Sequence, residues 1–152
     1  MYNVITMLKT KKAFTLIEFM VAMSLVAILS GIAMSNFTGT QKRGRDVRRQ
    51  SDLNQYRVAL ENYASVNSGV YPTTSGITNL NTDLANYMTG FPTDPQGLSY
   101  SYFVDPTGTI WTLWACGEVN KVAYQVCSTG KAGYTTLACN NASLNDTNCD
   151  LP

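Results

Sequence analysis

The residues of this chain that could do chemistry are one isolated carboxylate and four cysteines, and they indicate charge pairing and disulfide bonding. Glu18 is the single charged residue in the 24 residues from Phe14 to Phe37. The sequence contains no His, the commonest general base and a common metal ligand. We find no pairing of nucleophile and base, no metal-ligand cluster and no phosphate-binding loop. The sequence therefore predicts a protein that is not an enzyme and that needs no cofactor or metal.

The four cysteines all lie near the C-terminus, at Cys116, Cys127, Cys139 and Cys149. Their spacing contains no CxxC pair, so it does not indicate zinc or a thioredoxin-type motif. An even number of cysteines behind a membrane-targeting segment is typical of disulfide bonds in an oxidising compartment. Of the three possible connectivities, proximity in the chain favours Cys116 with Cys127 and Cys139 with Cys149.

The element that must position Glu18 is a long apolar segment, FTLIEFMVAMSLVAILSGIAMSNF, from Phe14 to Phe37. As a helix rising about 1.5 Å per residue, it is long enough to cross a bilayer. It is too long for the apolar region of a usual secretory signal, and it lacks the polar stripe of a core helix. An ordinary signal anchor remains an alternative, because a carboxylate near the bilayer edge is tolerated.

A second helical pattern follows from Arg45 to Val66. Four apolar residues recur at spacings of 3, 4 and 3, which is typical of an amphipathic helix; they are Leu53, Tyr56, Leu60 and Tyr63. Its predicted polar face carries Arg48, Arg49, Asp52, Arg57 and Glu61. The two patterns together predict a helix from Phe14 to about Val66, which could loosen around Asn36 to Gly44.

The basic residues between positions 42 and 49 have three interpretations. They could form a solvated helix face, an anchor for phospholipid headgroups, or a contact with the acidic head of a neighbouring subunit. Nucleic-acid binding is possible but unsupported, because no aromatic residues are interleaved with these basic residues.

The remainder of the chain predicts a short helix and a small sheet. The helix is expected near Leu80 to Met88, and strands are expected around Tyr100 to Val104, Thr109 to Cys116 and Lys121 to Cys127. A long helix followed by a small antiparallel sheet packed on its second half gives an α+β fold.

The sequence from Lys11 through Ala13 and Phe14 to Glu18 resembles the cleavage and methylation motif of type IV prepilins. The resemblance implies that a prepilin peptidase cuts after Ala13, where the family usually has Gly, and that the new amine of Phe14 is N-methylated. It also implies three parts: a leader peptide at 1–13, a transmembrane and filament-core helix at 14–37, and a globular pilin head at 38–152.

In such a protein Glu18 would be the fifth mature residue and would serve assembly. A carboxylate in apolar surroundings can pair with the Phe14 amine of a neighbour, and a wrong stagger would leave both charges unpaired. The resemblance implies a homo-polymer or a mixed polymer with other pilins, built by pilus assembly machinery. The precursor would lie in the inner membrane, and the filament would extend into the periplasm or from the cell surface.

A second resemblance concerns the stretch Asp94-Pro95-Gln96-Gly97 and the first strand after it, which resemble the loop and first strand of major pseudopilins of type II secretion systems. That resemblance implies calcium bound by a downstream acidic loop. After Trp114 the nearest acid is Glu118, and a calcium site needs several oxygen ligands. We therefore predict that the calcium site is not carried over.

Three functions follow from these patterns. The segment from Cys139 to Cys149 resembles the disulfide-bounded C-terminal loop of type IV pilins and favours a pilus subunit, for adhesion, motility or DNA uptake. The Asp94 to Gly97 stretch favours a pseudopilin of a type II secretion system. An uncleaved, membrane-anchored binding module is the alternative of another class.

Overall fold

The computed structural model describes residues 14–139, 149 and 151, with the side chains of residues 35 and 36 excepted. It contains the helices α1 (Leu16–Val66) and α2 (Ile77–Asp83). The strands are β1 (Ser101–Val104), β2 (Trp111–Cys116), β3 (Val122–Cys127) and β4 (Ala132–Ala138). The chain divides into two compact units, Met1–Thr38 and Gly39–Pro152.

The described part of the first unit is the apolar half of α1. An 18-residue stretch of the helix has a mean hydropathy of 2.2, and none of its residues is buried. By length and composition the helix could therefore cross a membrane. The expected loosening between Asn36 and Gly44 is not found, because α1 is helical throughout that stretch. Ser30 donates a 2.8 Å hydrogen bond to the Val26 carbonyl, so even its polar group is satisfied within the helix.

The second unit is an α+β head, which confirms the predicted fold class. Its four strands form an antiparallel sheet in the order β1-β2-β3-β4, joined by successive hairpins. The α1 residues Leu53, Tyr56 and Leu60 are completely buried and belong to one apolar core with the sheet residues Tyr102 and Leu113. The spacing of apolar residues in the sequence therefore identified the face of α1 that packs on the sheet.

Two elements differ from the sequence expectation. The strand β4 was not predicted, and α2 begins and ends earlier than the helix expected near Leu80 to Met88. The residues after α2 form a turn in place of the expected last part of the helix, because the backbone N–H groups of Tyr87 and Met88 both bond to the Leu84 carbonyl, at 2.9 and 3.1 Å.

The predicted disulfide pairing is wrong, although all four cysteines form bonds. Cys116 is bonded to Cys139, and Cys127 is bonded to Cys149, with Cα–Cα distances of 5.5 and 6.0 Å. Antiparallel pairing explains the difference, since Cys116 lies opposite Ala123 and is therefore at the other end of the β2–β3 ladder from Cys127. The loop expected between Cys139 and Cys149 lies outside the described residues.

Candidate functional site

The N-terminus of α1 contains a reciprocal pair of hydrogen bonds between Thr15 and Glu18. The Thr15 hydroxyl accepts the backbone N–H of Glu18 at 3.3 Å, and the Glu18 carboxylate accepts the backbone N–H of Thr15 at 3.4 Å. The Thr15 hydroxyl also donates to the same carboxylate at 3.3 Å. This arrangement is a capping box, and it satisfies N–H groups that the first turn of a helix leaves free. We did not predict it, although the spacing T-x-x-E in the sequence could have indicated it.

The first half of α1 exposes its apolar side chains. Every side chain from Phe14 to Met34 is exposed, and Leu25 and Leu29 keep 56% and 65% of their surface accessible. A soluble monomer rarely exposes an apolar patch larger than a few hundred Å². This segment therefore requires a lipid or protein environment that covers it.

The processing residues predicted from the sequence differ in how far the structure describes them. Ala13 lies outside the described residues. Phe14 lies before the first turn of α1 with 86% of its surface accessible, and the Glu18 side chain is exposed one turn later. Cleavage after Ala13, methylation of Phe14 and the assembly role of Glu18 stay predictions.

The second half of α1 carries a cluster of ion pairs that we name the Arg49 cluster. It consists of two guanidinium groups and three carboxylates, from Arg45, Arg49, Asp46, Asp94 and Glu118. Arg49 has only 1% of its surface accessible and pairs with all three acids, at 2.8 Å to Asp46 and to Glu118. The Asp94 carboxylate accepts from both Nε and Nη2 of Arg49, the latter at 3.2 Å.

The Arg49 cluster fastens three separate segments of the head to one another. Asp94 accepts the backbone N–H of Gln96 at 2.7 Å, which holds the loop before β1. Asp46 accepts the backbone N–H groups of Glu118 and Val119 at 2.9 and 3.1 Å, which holds the turn between β2 and β3. The Glu118 carboxylate is bound in addition by Arg45, through two bonds of 2.8 and 2.7 Å.

These contacts shift the pKa values of the carboxylates. Hydrogen bonding from Arg45, supported by Arg49, outweighs desolvation and lowers the pKa of Glu118 to about 2. Burial alone would raise the pKa of Asp94, but the Arg49 guanidinium and the N–H groups of Gln96 and Leu98 hold it below its ordinary value. Both groups therefore stay ionised at neutral pH.

Arg49 and Asp52 belong to the predicted polar face of the helix, but both are buried, so a solvated helix face, one of the three interpretations of residues 42 to 49, is wrong for Arg49. Asp52 has 4% of its surface accessible and accepts a 2.6 Å hydrogen bond from the Tyr100 hydroxyl. Burial, together with the Asp52 carboxylate, raises the pKa of Tyr100. A charged residue is tolerated in the interior when its partners satisfy it. Asp94, which bonds Arg49, and Tyr100, which bonds Asp52, lie 45 and 48 positions away in the chain.

Comparison with known proteins gives one match to the N-terminal segment and one match to most of the chain. Residues 8–34 match the family model described as the prokaryotic N-terminal methylation motif. The chain is also 32% identical over 125 residues to the type II secretion system core protein G of Vibrio cholerae serotype O1 (strain ATCC 39315 / El Tor Inaba N16961). That match covers 73% of this chain and 85% of the relative, so it extends well beyond the N-terminal motif.

Proposed function

This chain belongs to the family of type IV pilins and type II secretion pseudopilins, and on that basis we propose that it is a structural subunit of a membrane-assembled filament. The observation that carries the proposal is the uncovered apolar half of α1, which adjoins a head with a complete core of its own. Lipid covers these side chains in the unassembled subunit, and the same segments of neighbouring subunits cover them in the filament.

The N-terminal residues serve processing and register in this proposal. A prepilin peptidase cuts after Ala13, and the methylated Phe14 amine becomes the mature N-terminus. In the filament the Glu18 carboxylate leaves its bonds to Thr15 and pairs with the Phe14 amine of a neighbour. Because an unpaired buried charge costs several kcal/mol, this pair selects one stagger of the helices over the others.

We place the filament first on the cell surface, as a type IV pilus. Two disulfide bonds tie β3 to the C-terminal segment and β2 to the end of β4. Such covalent fastening suits a head that is displayed outside the cytoplasm.

A secretion pseudopilus is the second candidate, and two observations favour it. The relative that matches 125 residues is a type II secretion protein. In addition, Cys139 and Cys149 are not bonded to each other in the structure, which removes the disulfide-bounded loop that favoured a pilus.

The substitution Glu18→Ala tests the filament proposal. We expect the variant to insert into the membrane as the wild type does, and its filament yield, measured by shearing and electron microscopy, to fall at least about tenfold. Ser24→Ala is the matched control, because Ser24 is exposed in the same segment and donates only to the Val21 carbonyl of its own helix. A normal filament yield from Glu18→Ala would contradict the assembly role.

Deletion of the gene separates the candidates. Loss of surface filaments with intact protein export supports the pilus, and loss of export supports the pseudopilus.

Sequencing the N-terminus of the membrane form tests processing, since a chain that begins at Phe14 is cleaved. A chain that keeps residues 1–13 and forms no filament would support the anchored binding module instead.

A further inference from the structure

The charges of the head are separated between its two ends. At one end, the bases Lys42, Arg43 and Arg48 are exposed on α1 beside the Arg49 cluster. Lys121 lies at the same end, since its carbonyl accepts the N–H of Cys139 at 3.0 Å and the β2–β3 turn also carries Glu118. We name this surface, with its exposed residues Lys42, Arg43, Arg48 and Lys121, the basic end.

The opposite end carries carboxylates that do not pair with any base in the part of the chain that the structure describes. Glu61, near the end of α1, accepts from the Tyr71 hydroxyl at 3.1 Å. Asp83 accepts from the Thr74 hydroxyl, and Asp105 accepts the N–H of Ile110 at 2.7 Å. We name Glu61, Asp83 and Asp105 the acidic end.

Several contacts bring the three acids to one place. The backbone N–H of Tyr71 bonds at 2.8 Å to the carbonyl of Gly108, in the turn that Asp105 begins. The Tyr102 hydroxyl donates to the Pro72 carbonyl at 2.9 Å, and burial together with the charges of Asp83 and Asp105 raises the pKa of this phenol. The acids therefore surround one loop after α1.

The internal ion pairs do not cancel this separation. Among the described residues, six bases lie at or beside the basic end against four acids, which leaves two positive charges; the bases are Lys42, Arg43, Arg45, Arg48, Arg49 and Lys121, and the acids are Asp46, Asp52, Asp94 and Glu118. Among the described residues at the acidic end, the three carboxylates stand against one basic residue, Lys131, whose carbonyl accepts the N–H of Cys127 at 2.9 Å, and this leaves two negative charges. Positions 43 and 61 of α1 are roughly 27 Å apart at 1.5 Å per residue.

Opposite charges on different surfaces favour one kind of self-association. A two-fold contact made through one end alone would place like charges together, because it joins the same end of both copies. A head-to-tail contact joins the two different ends, and such a contact produces an open filament when its rotation does not close a ring. The charge arrangement therefore opposes dimers joined through the same end and favours contacts between unlike ends.

We propose that the basic end of one head binds the acidic end of the head of a second copy of this chain. This inference deepens the proposed filament function, and it names the partner as another subunit in head-to-tail orientation. The contact acts beside the helix packing of the first half of α1. It steers approaching subunits and rejects inverted ones, and its strength falls as salt screens it.

Charge reversal at each end tests the proposal. Full-length variants Arg43→Glu with Arg48→Glu, and Glu61→Lys with Asp83→Lys, are compared with the wild type in detergent micelles by sedimentation at low and high salt. We expect each double variant to self-associate about tenfold more weakly at low salt, and the difference to vanish at high salt. The variant with all four substitutions carries both ends reversed, and we expect it to recover association to within about threefold of the wild type.

A matched control is Arg57→Glu, since Arg57 lies on α1 between the two ends and the substitution changes the charge as Arg43→Glu does. Near-ultraviolet circular dichroism verifies that each variant keeps its folded head. The proposal is overturned if the variant with four substitutions associates no better than the double variants. It is also overturned if only the basic-end variant is impaired and it has lost binding to phosphatidylglycerol vesicles, because the partner is then a lipid surface.

The measurement in micelles keeps this inference separate from the proposed function. If the wild type forms no filament in cells but the variant with four substitutions recovers association in micelles, the filament function fails and the head-to-tail contact stands. If filaments form and all charge variants behave as the wild type does, the contact fails and the filament function stands.

Discussion

The two halves of α1 place their side chains in opposite ways. Between Phe14 and Met34 the apolar side chains are on the outside, and the one carboxylate bonds to its own helix turn. Between Arg45 and Val66 the helix buries Arg49 and Asp52 in the interior of the head. The first half is therefore incomplete without other molecules, whereas the second half is satisfied by residues of the same chain.

Breaking the Arg49 cluster should have the largest effect on the stability of the head, to which the second half of α1 belongs. Arg49→Ala leaves the buried carboxylates of Asp94 and Asp46 without their guanidinium, and we expect the free energy of unfolding to fall by about 3–5 kcal/mol. Near-ultraviolet circular dichroism of the full chain in detergent reports this unfolding, because Trp111 and Trp114 are both buried in the sheet.

Arg48→Ala is the control for this prediction, since Arg48 is the neighbouring arginine and is exposed. We expect it to change the free energy of unfolding by less than about 0.5 kcal/mol. Equal effects of the two substitutions would show that the buried ion pairs do not stabilise the head.

Acid should lower the stability of the head over a defined pH range. The pKa of Glu118 is lowered from 4.5 to about 2, so its contribution to stability is complete above about pH 4.5 and is lost as the pH falls toward 2. Asp94, whose pKa is also lowered, acts in the same direction. We expect a melting temperature of the head that is constant from pH 7 to pH 5 and decreases below that.

Glu118→Gln checks the cause of this acid response. The amide cannot titrate, so the melting temperature of the variant should be lower at pH 7 and should fall less steeply below pH 4.5. A variant that keeps the full acid response of the wild type would assign the response to other carboxylates.

The smallest effect is expected from Thr15→Ala, at the start of the first half of α1. Loss of the cap should weaken the first turn of α1 by about 1 kcal/mol, seen as faster amide exchange at the helix start. Because Glu18 keeps its carboxylate, the filament yield should stay within about threefold of the wild type. A loss as severe as that of Glu18→Ala would mean that Glu18 acts through the helix cap and not through a neighbour.

The sequence predicted those parts of the fold that depend on local patterns. The apolar spacing of Leu53, Tyr56 and Leu60 identified the packed face of α1, and alternation identified β1 at Tyr102. The strand β4 lacks such alternation: its residues include Gly133, and only Thr135 among them is buried. It forms because it pairs with the edge of β3, and a local sequence pattern does not show that pairing.

Long-range partners account for the errors. The charge of Arg49 placed it on the predicted polar face, but Asp94 and Glu118 make its burial favourable, and they are 45 and 69 positions away. The disulfide pairing failed in the same way, because distance along the chain says nothing about which strand ends lie side by side. Cys116 and Cys139 meet only because Val122 pairs with Ala138 at that end of the sheet.

The capping box at Thr15 has a consequence for the timing of assembly. In the single chain, the Glu18 carboxylate makes its hydrogen bonds inside its own first turn. In the proposed assembly, incorporation exchanges those bonds for the amine of a neighbour, so the carboxylate keeps a donor until the exchange. Under that proposal, subunits can remain in the bilayer with the Glu18 carboxylate satisfied until the amine of a neighbour reaches it.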